Sequence, residues 1–112
     1  MSKKTPETCV KNEIRDYLTL HGWFHFPVMQ GMGSYPGLPD RIAVKDGVVL
    51  FIEIKSEKGS LTPSQAKFRV NILEHSGNYL VVRRYEDIER WEEQYWDTRN
   101  FRVGDRNGNG RE

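Results

Sequence analysis

A single cysteine, Cys9, among 112 residues leaves no partner for an internal disulfide and no set of thiols for a zinc site. No apolar run approaches the ~20 residues that a membrane span requires, and the longest strongly apolar stretch is 48–52. Charge of one sign is also missing: 17 Lys and Arg face 16 Asp and Glu, a net charge of +1. Bulk charge therefore does not recruit nucleic acid, and any such binding must use a local patch. Residues 1–4 lead into a polar segment with no apolar signal core. No repeat, interdomain linker, Gly-Lys-Ser/Thr phosphate loop or dinucleotide fingerprint is present, so neither a membrane nor a nucleotide cofactor is expected. These absences together predict a soluble intracellular protein.

What is present fits one ordinary domain, because single domains most often run to about 100–150 residues. Hydrophobic residues make up 37% and charged residues 29%, a globular composition. We expect the domain to span 1–98, with 99–112 as a flexible, weakly basic tail in which Gly, Asn and Arg alternate toward the end.

The first helix has a start signal in Thr5, Pro6 and Glu7. Val10, Ile14, Tyr17, Leu18 and His21 follow with helical spacing, and Gly22 ends it. Residues 23–28 are aromatic and β-branched, which predicts a strand. Residues 29–39 hold three glycines and two prolines and cannot be regular structure; a loop this long in a small domain is more often functional than idle. Segments 40–45 and 48–55 read as strands around Asp46-Gly47, a strong hairpin signal. Thr62-Pro63-Ser64-Gln65 opens a helix with a capping box, and Gly77 is expected to stop it as a left-handed cap. A short strand at 79–83 and an amphipathic helix marked by Ile88, Trp91, Tyr95 and Trp96 complete the order α-β-β-β-α-β-α. The helix between the third and fourth strands is a right-handed crossover, so the fold class is α/β with a mixed central sheet flanked by helices.

Taken literally, a two-residue turn at Asp46-Gly47 pairs Lys45 with Val48. Counting back, Val44 meets Val49, Ile42 meets Phe51 and Asp40 meets Glu53, all on one face of the sheet. Two of these pairs are apolar; the third puts two carboxylates about 5 Å apart at Cβ, which is destabilising unless a cation relieves it. A hard divalent ion with oxygen ligands would do so. Lys55 follows two residues after Glu53 on the same face, about 7 Å along the strand, where an ammonium can hold or activate a water. Two acids and a lysine on a rigid sheet suit Mg²⁺-assisted phosphodiester hydrolysis. The bland reading is a solvated sheet edge with an ordinary counter-charge, and the residues alone leave both open. Glu13 lies about 60° from Val10 on the helical wheel, at the edge of the apolar stripe, while Lys11, Asn12 and Asp16 turn toward water. Gln65 falls within the arc of Phe68, Ile72 and Ala66. Both can point inward, although a surface acid and a plain capping residue would explain them as well.

Gly37-Leu38-Pro39-Asp40, then Glu53-Ile54-Lys55, then Gln65 with Phe68 three residues on, resemble the PD-(D/E)xK nuclease superfamily, and within it the virus-type replication–repair nuclease (VRR-NUC) domain in its standalone phage and bacterial form. The resemblance covers about residues 13–83. It implies a restriction-endonuclease-like core and a Mg²⁺- or Mn²⁺-dependent endonuclease. Asp40 and Glu53 would bind the metal, the backbone carbonyl of Ile54 would add a ligand, and Lys55 would position or deprotonate the attacking water. Gln65 would orient Lys55 or the water, and Glu13 would reach the metal directly or through water. It further implies a homodimer that cuts Holliday-junction or other branched DNA, acting in the cytoplasm (of a bacterial host cell if phage-encoded). The alternatives are a nucleic-acid-binding module that keeps the fold without cutting, and a nuclease subunit that needs a larger complex.

For DNA, the candidates around the site are Ser34 and Tyr35 in the loop, with Lys58, Lys67, Arg69, Arg83 and Arg84. The terminal residues Lys3, Lys4, Arg99, Arg102 and Arg106 are further candidates. Such contacts would go mostly to phosphate and be weakly sequence-specific. The weaker features have ordinary readings. His21 and His25 are split by Gly22, His75 suits a helix C-terminus, and Cys9 is expected to be a small thiol at least half buried. Trp91, Tyr95 and Trp96 are read as core cover in preference to an interface.

Overall fold

The computed structural model describes the backbone of residues 7–107 and the side chains of residues 7–96. The expected caps Thr5 and Pro6, the basic residues Lys3 and Lys4, and the side chains of Arg99, Arg102 and Arg106 lie outside those residues. Seven elements follow in the order α1 (Glu7–Leu20), β1 (Phe24–Pro27), β2 (Arg41–Lys45), β3 (Val48–Ile54), α2 (Pro63–Glu74), β4 (Asn78–Val82) and α3 (Tyr85–Asn107). They match the order read from the sequence, with ends shifted by one or two residues. Of the expected tail, the part up to Asn107 has its backbone within α3, and 108–112 lie outside the described residues.

The four strands lie in the order β1-β2-β3-β4, with β1–β2 and β2–β3 antiparallel and β3–β4 parallel. Asp46 and Gly47 both have positive φ (51° and 83°), the requirement of a tight turn whose twist matches the strands it joins. That turn fixes the register from Lys45 opposite Val48 to Arg41 opposite Ile52.

Because side chains alternate, β3 sends Leu50, Ile52 and Ile54 to one face of the sheet and Phe51 and Glu53 to the other. The first face is covered by α1 and α3. Val10, Ile14, Tyr17 and Leu18 of α1 and Ile88 of α3 close on Ala43, Leu50, Ile52, Ile54 and Val82, with Leu80 and Trp91 packed against them. Each fully buried Leu or Ile here stabilises the fold by about 1.5–3 kcal/mol. This agrees with Trp91 as core cover; Trp91 also stacks on Tyr95 at 4.8 Å between centroids. One acid is buried in this layer. Glu92 of α3 accepts from the Tyr17 hydroxyl (2.9 Å) and from the Trp23 indole N–H (2.9 Å), and the Lys45 ammonium lies 3.5 Å away. Both carboxylate oxygens of Glu92 are engaged, so the group ties α1, the residue just before β1, the end of β2 and α3 together.

The other face carries α2, which buries no residue fully. Its Phe68 meets Phe51 and Tyr79 at ring centroid distances of 5.9 and 6.2 Å. Phe24, Phe26 and Val49 stay exposed beside it.

Helix α2 begins as read, with Thr62 and Gln65 closing a capping box over Pro63. Its end differs. The left-handed position is taken by Ser76 (φ 64°), and Gly77 N–H donates to the Ile72 carbonyl at 2.8 Å. Gly77 is required for space and not for its dihedral, since a Cβ there would come 2.7 Å from Cγ2 of Ile72. Cys9 corrects another expectation. It is exposed, because it falls on the outer side of α1 while Val10 and Ile14 take the core side.

Candidate active site

Asp40 is anchored on both sides before its side chain does anything. Its N–H donates to the Ile52 carbonyl and its own carbonyl accepts from Val28 N–H, each at 2.9 Å. The chain ahead of it is braced as well. The Gln30 side-chain amide donates to the carbonyls of Leu38 (3.2 Å) and Pro39 (3.1 Å). Gly37 (φ 83°) presses on the first turn of α2 so closely that a Cβ would collide with the Ser64 carbonyl. Glycine in Gly37-Leu38-Pro39-Asp40 therefore does two things: it adopts a left-handed backbone and lets α2 approach.

The carboxylate of Asp40 accepts from Ile54 N–H at 2.7 Å through Oδ2, and its Oδ1 lies 3.5 Å from the Lys11 ammonium. Glu53, on the neighbouring strand, is only 2% exposed. Its Oε2 accepts from the Gln65 side-chain amide at 3.0 Å and lies 3.6 Å from the Lys55 ammonium. Its Oε1 is buried with no hydrogen-bond partner. Burial, and then the negative charge of Asp40, push the Glu53 carboxyl up to about 7, while Lys55 pulls the other way. The hydroxyl of Tyr79 is also buried without a partner, and its ionisation is driven up by burial, then by Glu53 and Asp40.

Asp40, Glu53, Lys55 and Gln65 are thus brought together. Gln65 combines both of its readings: Oε1 accepts from Thr62 N–H (2.9 Å) to cap the helix while Nε2 reaches Glu53. Its side-chain hydrogen bond across the site goes to Glu53. Glu13 is not part of this group. It is exposed on α1 and lines a groove of about 350 Å³ with Tyr17, His21 and Tyr85. The helical wheel relates a residue to the apolar stripe but not to the end of the sheet that each flank of the helix meets. The flank that meets Asp40 carries Lys11, although its place on the helical wheel turns it toward water, and Lys11 also lies 3.6 Å from Glu7. Lys11 and Tyr79 were missed. The i, i+4 spacing of Glu7 and Lys11 was visible, but nothing local pointed it at Asp40.

The other candidates divide. Lys58, Lys67 and Arg69 are exposed. Arg83 donates to the carbonyls of Ser56 (2.6 Å) and Glu57 (3.2 Å), and Arg84 forms a two-pronged pair with the Glu57 carboxylate (2.8 and 2.6 Å). These two arginines brace the chain after β3. In the loop, Ser34 bonds back to Gly31, and Tyr35 rests edge-on against Phe68.

Two carboxylates, one just before β2 and one on β3 with a buried and unpartnered oxygen, suit a hard cation that takes oxygen ligands. Among the described residues no three His, Cys, Asp or Glu side chains gather into a metal cage. The protein's own carboxylates would supply part of a coordination shell, leaving room for backbone carbonyl, water and substrate oxygens.

Neither a described protein family nor a curated protein matches the sequence. A solved structure described as "VRR_NUC domain" superposes with a TM-score of 0.68 at 22% identity, over 80% of this chain and 96% of the other. The chain therefore has the VRR_NUC domain fold, a mixed α/β sheet flanked by helices.

Proposed function

We propose that this protein is a divalent-metal-dependent endonuclease that hydrolyses DNA phosphodiester bonds. The observation that carries the reading is the Asp40–Glu53 pair, in which Glu53 keeps Oε1 buried and unsatisfied while its Oε2 lies beside Lys55. A fold does not specify a function; the chemistry of a site does. Buried like charges are costly, and a cation bound between them offsets that cost. Mg²⁺ or Mn²⁺ would be held by Asp40 and Glu53, with the Ile54 carbonyl as a further ligand, and would supply Lewis-acid stabilisation of the charge growing on the phosphate.

The protein's own groups do the rest. Lys55, as an ammonium, donates to a water and orients it toward phosphorus, and the proton that this water gives up passes to solvent. A water oxygen adds to phosphorus, the bond to the departing sugar oxygen breaks, and that oxygen takes up a proton. Gln65 holds Glu53 in place, and Lys11 and Ile54 N–H hold Asp40. Glu13, exposed in its groove, has no part in this arrangement. A homodimer that acts on branched or Holliday-junction DNA is the finer form of the proposal. It rests on the sequence resemblance and on the match of a two-fold protein to a two-fold junction. No described helix is long and apolar enough to cross a membrane, which suits a cytoplasmic site of action.

The test is nicking of junction, flap and duplex DNA with Mg²⁺ or Mn²⁺ and with chelator. Cleavage should need the metal and disappear in Asp40→Asn and in Lys55→Ala. Activity that persists in both variants refutes the site. A chain that binds Mn²⁺ and DNA but cuts only with added partners would instead be a subunit of a larger complex.

A further inference from the structure

Arg41 opens β2 directly after Asp40, and strand alternation sends its side chain to the α1 side of the sheet. There its Nε–H donates to Nδ1 of His25 on β1 at 2.8 Å. A ring nitrogen that accepts this bond carries no proton, so the proton of the neutral imidazole is on Nε2, 2.8 Å from the Thr19 hydroxyl on α1. Thr19, His25 and Arg41 thus form a fixed line that leaves the two terminal nitrogens of the guanidinium, with four N–H donors, unused. No described residue accepts from them, and no described carboxylate lies within ion-pair range of Arg41. The neighbouring cation is Arg15 of α1, whose ion pair is with Asp16 beside it. Burial disfavours the charged forms of both Arg41 and His25; Arg15 adds to this for Arg41, and Arg41 and then Arg15 add to it for His25. A half-buried guanidinium held without an anion beside a second one is a net cost to the fold unless a ligand supplies the charge. One helical turn before Arg15 on α1, Lys11 leads back to Asp40.

We propose that Arg41, oriented by His25 and Thr19, is a phosphate seat that grips the nucleic-acid backbone next to the reacting phosphodiester, with Arg15 beside it. The planar fork of Arg41 matches two phosphate oxygens. Arg41 directly follows Asp40 but sits on the α1 face of the sheet, whereas Glu53 is on the α2 face, so the seat would hold the backbone at the strand end, behind the acid pair. This inference rests on the nuclease reading for its substrate but not for its measurement.

The experiment is binding of fluorescently labelled junction DNA in EDTA, where no cleavage occurs, over a range of salt concentrations. Arg41→Ala should weaken binding about tenfold and lower the slope of log affinity against log salt by about one. Arg41→Lys should keep the slope and lose most of the affinity, because an ammonium cannot replace the fork. Thermal unfolding should show that Arg41→Ala is folded and no less stable than the wild type, which excludes a purely structural role. Affinity and slope unchanged in Arg41→Ala overturn the seat even if the wild type cuts DNA. A wild type that binds DNA through Arg41 and never cuts overturns the nuclease reading alone. Inorganic phosphate at millimolar concentration separates the sources: it should displace DNA weakly, and tight Arg41-dependent binding of phosphate itself would assign the seat to a small anion and overturn the DNA proposal.

Discussion

The sheet buries one glutamate on each face, and the two are treated in opposite ways. On the closed face, Glu92 receives hydrogen bonds from Tyr17 and Trp23 and the charge of Lys45. On the open face, Glu53 is buried more deeply, faces the charge of Asp40 and keeps one oxygen without a partner. The same residue type with similar burial is a structural fastener in one place and a stored charge conflict in the other. The helices above them agree. α1 and α3 close a dry core over their face, while α2 covers its face only in part and leaves Val70 and Leu73 exposed. The packed core is concentrated on one side of the sheet and the unsatisfied acid pair on the other.

The most direct way to break this comparison is to exchange the demands on the two acids. Glu53→Gln should reduce metal-dependent cleavage by about a thousandfold or more, equivalent to several kcal/mol of lost transition-state stabilisation. In chelator the same variant should be at least as stable as the wild type, because a neutral amide removes the clash with Asp40. Glu92→Ala should do the reverse. It should cost about 3–5 kcal/mol, since Lys45, Tyr17 and Trp23 lose their partner, and the folded fraction should still cut. Urea denaturation with a single-turnover assay on each variant decides the matter, and a Glu53→Gln protein as damaged in stability as Glu92→Ala would erase the distinction.

A second contrast uses glycine. Gly37→Ala should destabilise by about 1–3 kcal/mol, as overpacking does, and should also slow cleavage because α2 shifts and carries Gln65 away from Glu53. Gly77→Ala meets only Ile72 at the far end of α2, so it should cost stability in the same range and leave the rate per folded molecule unchanged. Equal rate losses in both variants would place the effect in general loosening of α2.

A further expected effect is a pH dependence. The Glu53 carboxyl is raised to about 7 in the fold, so the folded state binds this proton more tightly than the unfolded chain. Its contribution is fully present below the unfolded value of about 4.3 and is lost as pH rises through about 7. In chelator, thermal stability should therefore decline across that window in the wild type and be flatter in Glu53→Gln. A divalent ion should oppose the decline, because it binds the ionised form. Identical profiles for the two proteins would remove the charge conflict from the account.

Much of this was legible in the sequence because it is local. Asp46-Gly47 pins the hairpin, and a fixed register with a two-residue side-chain period then places Asp40 beside Glu53 and Lys55 beyond it. The Thr62–Gln65 capping box likewise starts α2 where the spacing says. Where the sequence misled, the deciding fact was long-range. Glu13 and Lys11 both flank the apolar stripe of α1, and which of them meets Asp40 depends on how that helix crosses the sheet. Gly77 looked like a left-handed cap, but the Ile72 side chain gives it a different task. Nothing near Glu92 in the sequence marks it as buried, since its partners are 47 to 75 residues away in the chain.

The amino-acid order by itself determined the elements, the hairpin register and the meeting of two acids with a lysine, because each follows from turn geometry, caps and a repeat of two or 3.6 residues. Only the tertiary structure decided which buried charges find partners: among the described residues Glu92 is satisfied, Glu53 keeps a bare oxygen, and Arg41 is aligned by His25 with no anion beside it. Satisfaction of a charge depends on what packing brings within about 3 Å, and distant segments supply those atoms.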